Sequence, residues 1–168
     1  MKYAYAYQNP IPFSKDSTNH FGIDDARKTI LQSIPPGKKA NPDFGPWKMK
    51  TAVGGGPVLL QNGEIQISNN AEQRFTGKAF YVKHPRTAMG YTKDGKLIIL
   101  VIEGRNKNAG GATLTQEAQI FKDLGCLEAL NLDGGGSSCM LVNGKETIKV
   151  SDALGQRPVP AVFIIRSK

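Results

Sequence analysis

Two cysteines, two histidines and one tryptophan among 168 residues leave several chemistries without their usual side chains. With Cys126 and Cys139 alone there is no disulfide framework and no thiolate zinc site of paired spacing, and both read as small buried apolar residues. His20 and His84 give little support to a serine-histidine triad, and His84 beside Pro85 reads as a loop residue in reach of a substrate at most. No apolar stretch approaches the roughly 20 residues of a membrane span, so none is expected. The N-terminus, Met1-Lys2-Tyr3-Ala4-Tyr5, lacks the apolar core of a signal peptide. Acidic residues are in deficit, 14 against 22 lysines and arginines, for a formal charge of +8. That balance favours anionic partners such as phosphorylated sugars or acidic polysaccharide. The basic residues are scattered rather than clustered, which argues against a nucleic-acid partner. A composition of 39% hydrophobic and 21% charged residues suits one domain over residues 1–168 with a hydrophobic core.

The fold class expected is α+β: a mixed β-sheet with several tight hairpins, one β-α-β crossover and two to three helices. Asn62-Gly63, Asp94-Gly95 and Asn143-Gly144 each tolerate the positive φ angles of a two-residue type I′ turn, predicting hairpins over 57–68, 87–103 and 139–150. Residues 97–102, Leu-Ile-Ile-Leu-Val-Ile, are apolar without alternation, as in a central strand covered on both faces. Ala161 to Ile165 reads as a closing strand. Leu114, Ala118, Phe121 and Leu124 recur at helical spacing, with Thr113 and Gln116 as a capping box and Gly125 as terminator. A second helix is predicted over Asp24 to Ile34, stopped by Pro35-Pro36. Tyr3, Tyr5 and Tyr7 alternate with alanines as in a strand, and Pro35 to Trp47 reads as loop.

What is present in excess is glycine at one place. Residues 131–138 read Asn-Leu-Asp-Gly-Gly-Gly-Ser-Ser between apolar stretches. Three consecutive glycines carry a large entropic cost, which a compact domain tends to bear where the chain turns sharply or meets a ligand. A flexible linker is not normally embedded between strand-like segments, so that reading is rejected. The order strand 97–102, helix, strand 129–132 predicts a crossover joining parallel strands, which brings Glu103-Gly104-Arg105 and Asp133-Gly134-Gly135-Gly136 to one sheet edge. A glycine turn with Ser137 and Ser138 offers donors to a phosphate. No lysine follows the glycines as in a P-loop, and the Gly-x-Ser-x-Gly frame of a nucleophile elbow is absent. Two carboxylates at such an edge suit cleavage of a glycosidic bond, or equally a divalent cation and cleavage at phosphorus. Taken singly, Asp133 reads as a turn residue, Glu103 as a strand-end charge and Arg105 as a surface cation; their joint placement points to a site.

Several ordered blocks then share a pattern: Ala52-Val53-Gly54-Gly55-Gly56-Pro57 with the hairpin to Gly63, Pro85-Arg86-Thr87-Ala88-Met89-Gly90, Glu103-Gly104-Arg105, Thr113-Leu114, residues 131–138, and Ser151-Asp152 with Arg157-Pro158-Val159. Over about residues 51–165 the chain resembles the phosphodiester glycosidase domain family. The resemblance implies hydrolysis of a sugar-1-phosphodiester, N-acetylglucosamine-1-phosphodiester-like, to release the free sugar. It implies Asp133 and Glu103 as the catalytic carboxylates at the sugar centre or its attacking water. The substrate- and phosphate-binding set would be Arg86, Thr87, Arg105, Asn131, Gly134, Gly135, Gly136, Ser137, Ser138, Asp152 and Arg157. Asp152 and Arg157 equally fit a structural ion pair closing the site. A phosphoryl leaving group is a weak base, so anion stabilisation should outweigh general-acid help. No cofactor is required by this reading, a divalent cation is compatible with it, and the partner is a phosphosugar or glycan. The family implies an extracytoplasmic or secreted location. Residues 1–50 lack the upstream Asn-Gly-Gly-Phe-Phe-like segment usual in the family, so a divergent or truncated N-terminal part is expected. The alternatives are a metal-dependent phosphodiesterase and a non-catalytic binding module for phosphorylated or acidic polysaccharide.

Overall fold

The computed structural model describes residues 18–24, 29–34, 49–69, 75, 77–159 and 161–166. The strand expected from Tyr3, Tyr5 and Tyr7 and the loop expected over Pro35 to Trp47 lie outside these residues. The first sheet has the order β2-β1-β3, from β1 (Thr18–Asp24), β2 (Thr29–Ile34) and β3 (Met49–Gly55), with both pairs antiparallel. The helix expected over Asp24 to Ile34 is therefore corrected. Ala26, Ile30 and Ile34 sit at helical spacing, but β-branched Thr29, Ile30 and Ile34 suit a pleated strand, and β1 supplies a ladder for six residues from Thr29 to Ile34.

The second sheet carries the site. Its strands are β4 (Val58–Gln61), β5 (Glu64–Ile65), β6 (Arg86–Thr92), β7 (Leu97–Ile102) and β8 (Cys126–Asn131), in the order β5-β4-β8-β6-β7. Every neighbouring pair is antiparallel, so the sheet is not mixed in its pairing as expected. A short turn folds β7 onto β6 and fills that side of β6, and β8 takes the other side. Both β7 and β8 are antiparallel to β6 and hence point the same way, connected through helix α1 (Leu114–Asp123).

β7 is an edge strand of this sheet, not a central one. The apolar run reports coverage of faces rather than position in the hydrogen-bonded order. All six residues of β7 are half-buried, with Ile98 and Leu100 packed under the α1 side and Leu97 against the opposite cluster. Two hairpins follow the expected turn chemistry, with positive φ at Asn62 and Gly63 (53° and 80°) and at Asn143 and Gly144 (52° and 76°). The latter joins the short strands β9 (Leu141–Val142) and β10 (Lys145–Glu146). Asp94-Gly95 behaves differently: Gly95 alone has positive φ, and the loop runs from Lys93 to Lys96. The Thr92 hydroxyl donates to the Asp94 carboxylate and accepts from Lys96 N–H at 3.1 Å, a side-chain staple that favours the wider turn. Residues 161–166 form no strand; an apolar run also needs a ladder partner to become one, and Val162 and Ile165 stay exposed.

α1 is the one α-helix whose full span is described. Thr113 Oγ1 accepts from Gln116 N–H and Gln116 Oε1 accepts from Thr113 N–H, completing the capping box, and Gly125 ends the helix at φ 74°. Leu114, Ala118 and Phe121 pack on Leu59, Leu60, Ala88, Cys126 and Ala129. Val58 and Leu130 form a smaller cluster on the other face with Tyr91, Leu97 and Leu132. Leu124, counted in the stripe, is half-exposed at the C-cap, whereas Glu117 is fully buried within it. Neither Glu117 carboxyl oxygen has a hydrogen-bond partner. No helix among the described residues is long and apolar enough to cross a membrane.

Burial pushes the Glu117 pKa up from 4.5 to about 8, with the Arg86 charge opposing the rise. The unfolded chain then releases this proton at lower pH than the folded chain does. Glu117 therefore favours folding fully below pH 4.5, and that contribution falls as pH rises toward about 8, by at most about 1.4 kcal/mol per pH unit. Urea denaturation should show Glu117→Gln gaining stability relative to the parent chain between about pH 5 and pH 8. A constant difference across that range would mean that Glu117 is not the titrating group. Thr113→Ala should cost about 1 kcal/mol in the same assay by removing the N-cap acceptor.

Candidate active site

Because β7 and β8 point the same way, their C-terminal ends meet the start of β6 at one edge. Asn131 stands opposite Ala88, which stands opposite Leu100, and Leu132 N–H donates to Thr87 O at 2.7 Å. Glu103 and Asp133 thus leave the sheet at nearly the same level with β6 between them, a backbone separation of about 10 Å from two strand spacings. Glu103 is held by Asn106, whose Nδ2 donates to its Oε1 at 2.8 Å. Asn106 Oδ1 in turn accepts from the N–H groups of Asn108 and Ala109, both at 2.9 Å, so this one amide organises the loop after β7. Among the described residues no hydrogen bond or ion pair joins Glu103 to Asp133.

The glycine run forms a 3-10 turn, Gly135–Ser137, with Gly135 at φ 65°. Gly135 N–H donates to Pro85 O at 2.9 Å, tying the turn to the segment before β6. Gly136 lies against Asp152, and a methyl there would overlap the Asp152 carboxylate and force it to move. Ser137 N–H and Ser138 N–H bond back to Gly134 O and Gly135 O at 3.3 and 3.1 Å. Three of the turn's amides are thus engaged within the protein.

Arg157 clamps the turn from the other side. Its Nη2 meets Asp133 Oδ1 at 2.8 Å and Gly134 O at 3.1 Å, its Nε donates to Ser137 Oγ at 3.0 Å, and its backbone N–H donates to Gly136 O at 3.0 Å. Among the described residues no Asp152–Arg157 ion pair, the alternative role of these two side chains, forms. Asp152 instead lies 3.9 Å from Arg105 Nη1 and accepts from Ser151 Oγ at 3.2 Å. Residues 151–158, Asp152 and Arg157 among them, line an open depression of about 520 Å³. Asp133 and Arg157 keep 61% and 49% of their side-chain surface exposed, so their pair is reachable by a ligand.

Arg105 adopts φ 59°, an unusual backbone for a bulky residue, and its guanidinium lies beside Gly135. Nε and Nη2 approach His84 Nδ1 at 3.3 and 3.0 Å. Three further sequence candidates point inward. Arg86 is buried, donating from Nε to Ala112 O at 3.0 Å and from Nη2 to Val82 O at 3.4 Å, with its guanidinium 5.6 Å from the Phe75 ring centroid. Burial lowers its pKa, with the Glu117 charge acting against the shift. Asn131 is buried and donates to Gly56 O and Leu132 O at 2.8 and 2.9 Å, while its Oδ1 has no partner. Thr87 Oγ1 donates to the buried Ser138 Oγ at 3.1 Å.

The open part of the edge therefore holds Asp133, Arg157, Arg105, Asp152 and His84, with Glu103 on the adjoining loop. Arg86, Asn131, Thr87 and Ser138 build the wall behind it. Sequence reasoning passed over Asn106, although its place two residues before a second asparagine is an Asx-turn signal. It also undervalued His84, whose role depends on Arg105 arriving from another loop. Among the described residues no group of three or more His, Cys, Asp or Glu side chains comes together to hold a metal.

Over 83 residues the chain is 40% identical to the SPbeta prophage-derived uncharacterized protein YomE of Bacillus subtilis (strain 168), covering 49% of this chain and 13% of that protein. Over 94 residues it is 33% identical to N-acetylglucosamine-1-phosphodiester alpha-N-acetylglucosaminidase of Mus musculus, covering 51% of this chain and 18% of that one. The catalytic domain of the zebrafish N-acetylglucosamine-1-phosphodiester alpha-N-acetylglucosaminidase, auto-inhibited by its pro-peptide, superposes with a TM-score of 0.66 at 28% identity, covering 86% of this chain and 50% of that one. The chain thus spans less than a fifth of these two curated relatives. The sequence profile of phosphodiester glycosidases matches residues 7–166, reaching upstream of the blocks between 51 and 165, and the chain belongs to the phosphodiester glycosidase family.

Proposed function

We propose that this chain hydrolyses a sugar-1-phosphodiester of the N-acetylglucosamine-1-phosphodiester type and releases the free sugar. The observation that carries this reading is the paired edge of the glycine turn, where exposed Asp133 is oriented by Arg157 while Arg105 lies beside Gly135. A carboxylate and two arginines within one turn suit a substrate with an electrophilic carbon next to an anion. In this reading Arg105 and Arg157 bind the phosphoryl oxygens, because three of the turn's amides are already engaged. Asp133 serves the sugar centre or its attacking water, and Glu103 completes the carboxylate pair across β6. Arg86, Thr87, Asn131 and Ser138 keep the turn in place, and Asp152 faces Arg105 at 3.9 Å. The activity that the mouse and zebrafish relatives are named for supports the substrate class.

Water attacks the anomeric carbon, the carbon–oxygen bond to phosphate breaks, and the electron pair leaves on the phosphoryl oxygen, which departs as a stable anion. Hydrolysis of methyl N-acetylglucosamine-1-phosphate in oxygen-18 water should therefore leave the methyl phosphate product unlabelled. Label in methyl phosphate would mean phosphorus–oxygen cleavage and would replace the glycosidase reading with a phosphodiesterase. Asp133→Asn should lower kcat/KM by about 10² to 10⁴ at unchanged fold, the range expected for a positioned carboxylate. Gly136→Ala should lower kcat/KM by about 10², since its methyl would displace the Asp152 carboxylate that faces Arg105.

A further inference from the structure

His84 stands immediately before Pro85-Arg86, and its backbone pairs with Ala112 through bonds of 3.1 and 3.0 Å, which fixes it at the edge of the site. Arg105 approaches its ring at Nδ1. A guanidinium has donors only, so Nδ1 must be the acceptor and the neutral imidazole carries its proton on Nε2. This contact has a purpose that the backbone explains. With φ at 59°, Arg105 follows β7 in a left-handed conformation, and the Asp152 carboxylate is 3.9 Å away and itself 40% exposed. The shorter contact to His84 is what orients the guanidinium beside Gly135.

We propose that His84 is a positioning residue for the phosphate subsite: as a neutral ring it holds Arg105 in place through Nδ1, and as a protonated ring it releases it. The proposal rests on the phosphodiester reading of the site. The charged groups around the ring are Arg105 from the loop after β7, Arg86 from β6, Lys83 on its own segment, and Asp152 beyond Arg105. Burial first, then the charges of Arg105 and Arg86, hold the His84 pKa below its usual 6.5. The clamp is thus present at neutral pH and is lost as pH falls through that lowered value. A phosphodiester stays singly charged over this range, so the effect belongs to the protein. Added positive charge on His84 would by itself strengthen anion binding, whereas release of Arg105 weakens it, and the sign of the pH effect separates the two.

His20 and His84 are the only histidines of the chain, so imidazole nitrogen-15 spectra of the full chain can be assigned with His20→Gln. The expected result is an Nε2–H tautomer for His84, titrating below 6.5, with Arg105→Ala raising the midpoint and admitting the Nδ1–H form. An Nδ1–H ring in the parent chain, or a midpoint unmoved by Arg105→Ala, overturns the proposal. With methyl N-acetylglucosamine-1-phosphate as substrate, His84→Ala should raise KM about tenfold with a smaller change in kcat, the size of one lost charged hydrogen bond. His84→Asn, whose amide oxygen can take the Nδ1 role, should restore KM and abolish its rise at acid pH. Equal behaviour of the Ala and Asn variants also overturns the proposal. A parent chain without turnover counts against the phosphodiester reading, while the spectra still decide the His84–Arg105 arrangement.

Discussion

The bond from Gly135 N–H to Pro85 O is the constraint on which the site depends. It binds the end of β8 to the beginning of β6, and the residues flanking Pro85 bind everything else. On one side His84 pairs with Ala112 and receives Arg105; on the other Arg86 holds Ala112 O and Val82 O. Three loops separated widely in sequence therefore share one three-residue wall. A buried backbone group must find a partner, and here each such partner also sets the direction of a functional side chain.

The charges at the mouth are arranged in loose, exchangeable pairs. Arg157 with Asp133 and Arg105 with Asp152 are exposed ion pairs, a class in which each contributes about 1 kcal/mol or less to stability. Such pairs preorganise the cations while leaving them available to a stronger anion. Behind them the situation reverses. Arg86 and Glu117 are buried, and burial pushes the Glu117 proton affinity up, so the wall holds its charge under strict control while the mouth does not.

Much of this was legible in the residues. Thr113, Gln116 and Gly125 specify helix α1 through local capping chemistry, and Asn62-Gly63 and Asn143-Gly144 specify their turns through positive φ. The Asp133 to Ser138 run marked a candidate site, and its glycines let the turn press against Pro85, Arg105 and Asp152. Other readings failed where a long-range partner decides. Thr29 to Ile34 has a helical stripe, yet β1 offers a ladder. Leu97 to Ile102 is apolar on both faces and still lies at a sheet edge. Arg86, read as a substrate cation, is buried with its Nε on Ala112 O, a placement that no local spacing gives.

By itself the sequence determined the chemistry available: a carboxylate on a glycine run, a capped helix between two strands, and an excess of positive charge. These follow from interactions within a few residues, whose energies do not require a distant partner. Tertiary structure alone decided the pairings. It gave Arg157 to Asp133 rather than to Asp152, set β6 between the two carboxylates, and brought His84 to Arg105. Those outcomes depend on which strand fills each side of β6 and on which loop reaches the shared edge, and no local spacing contains that information.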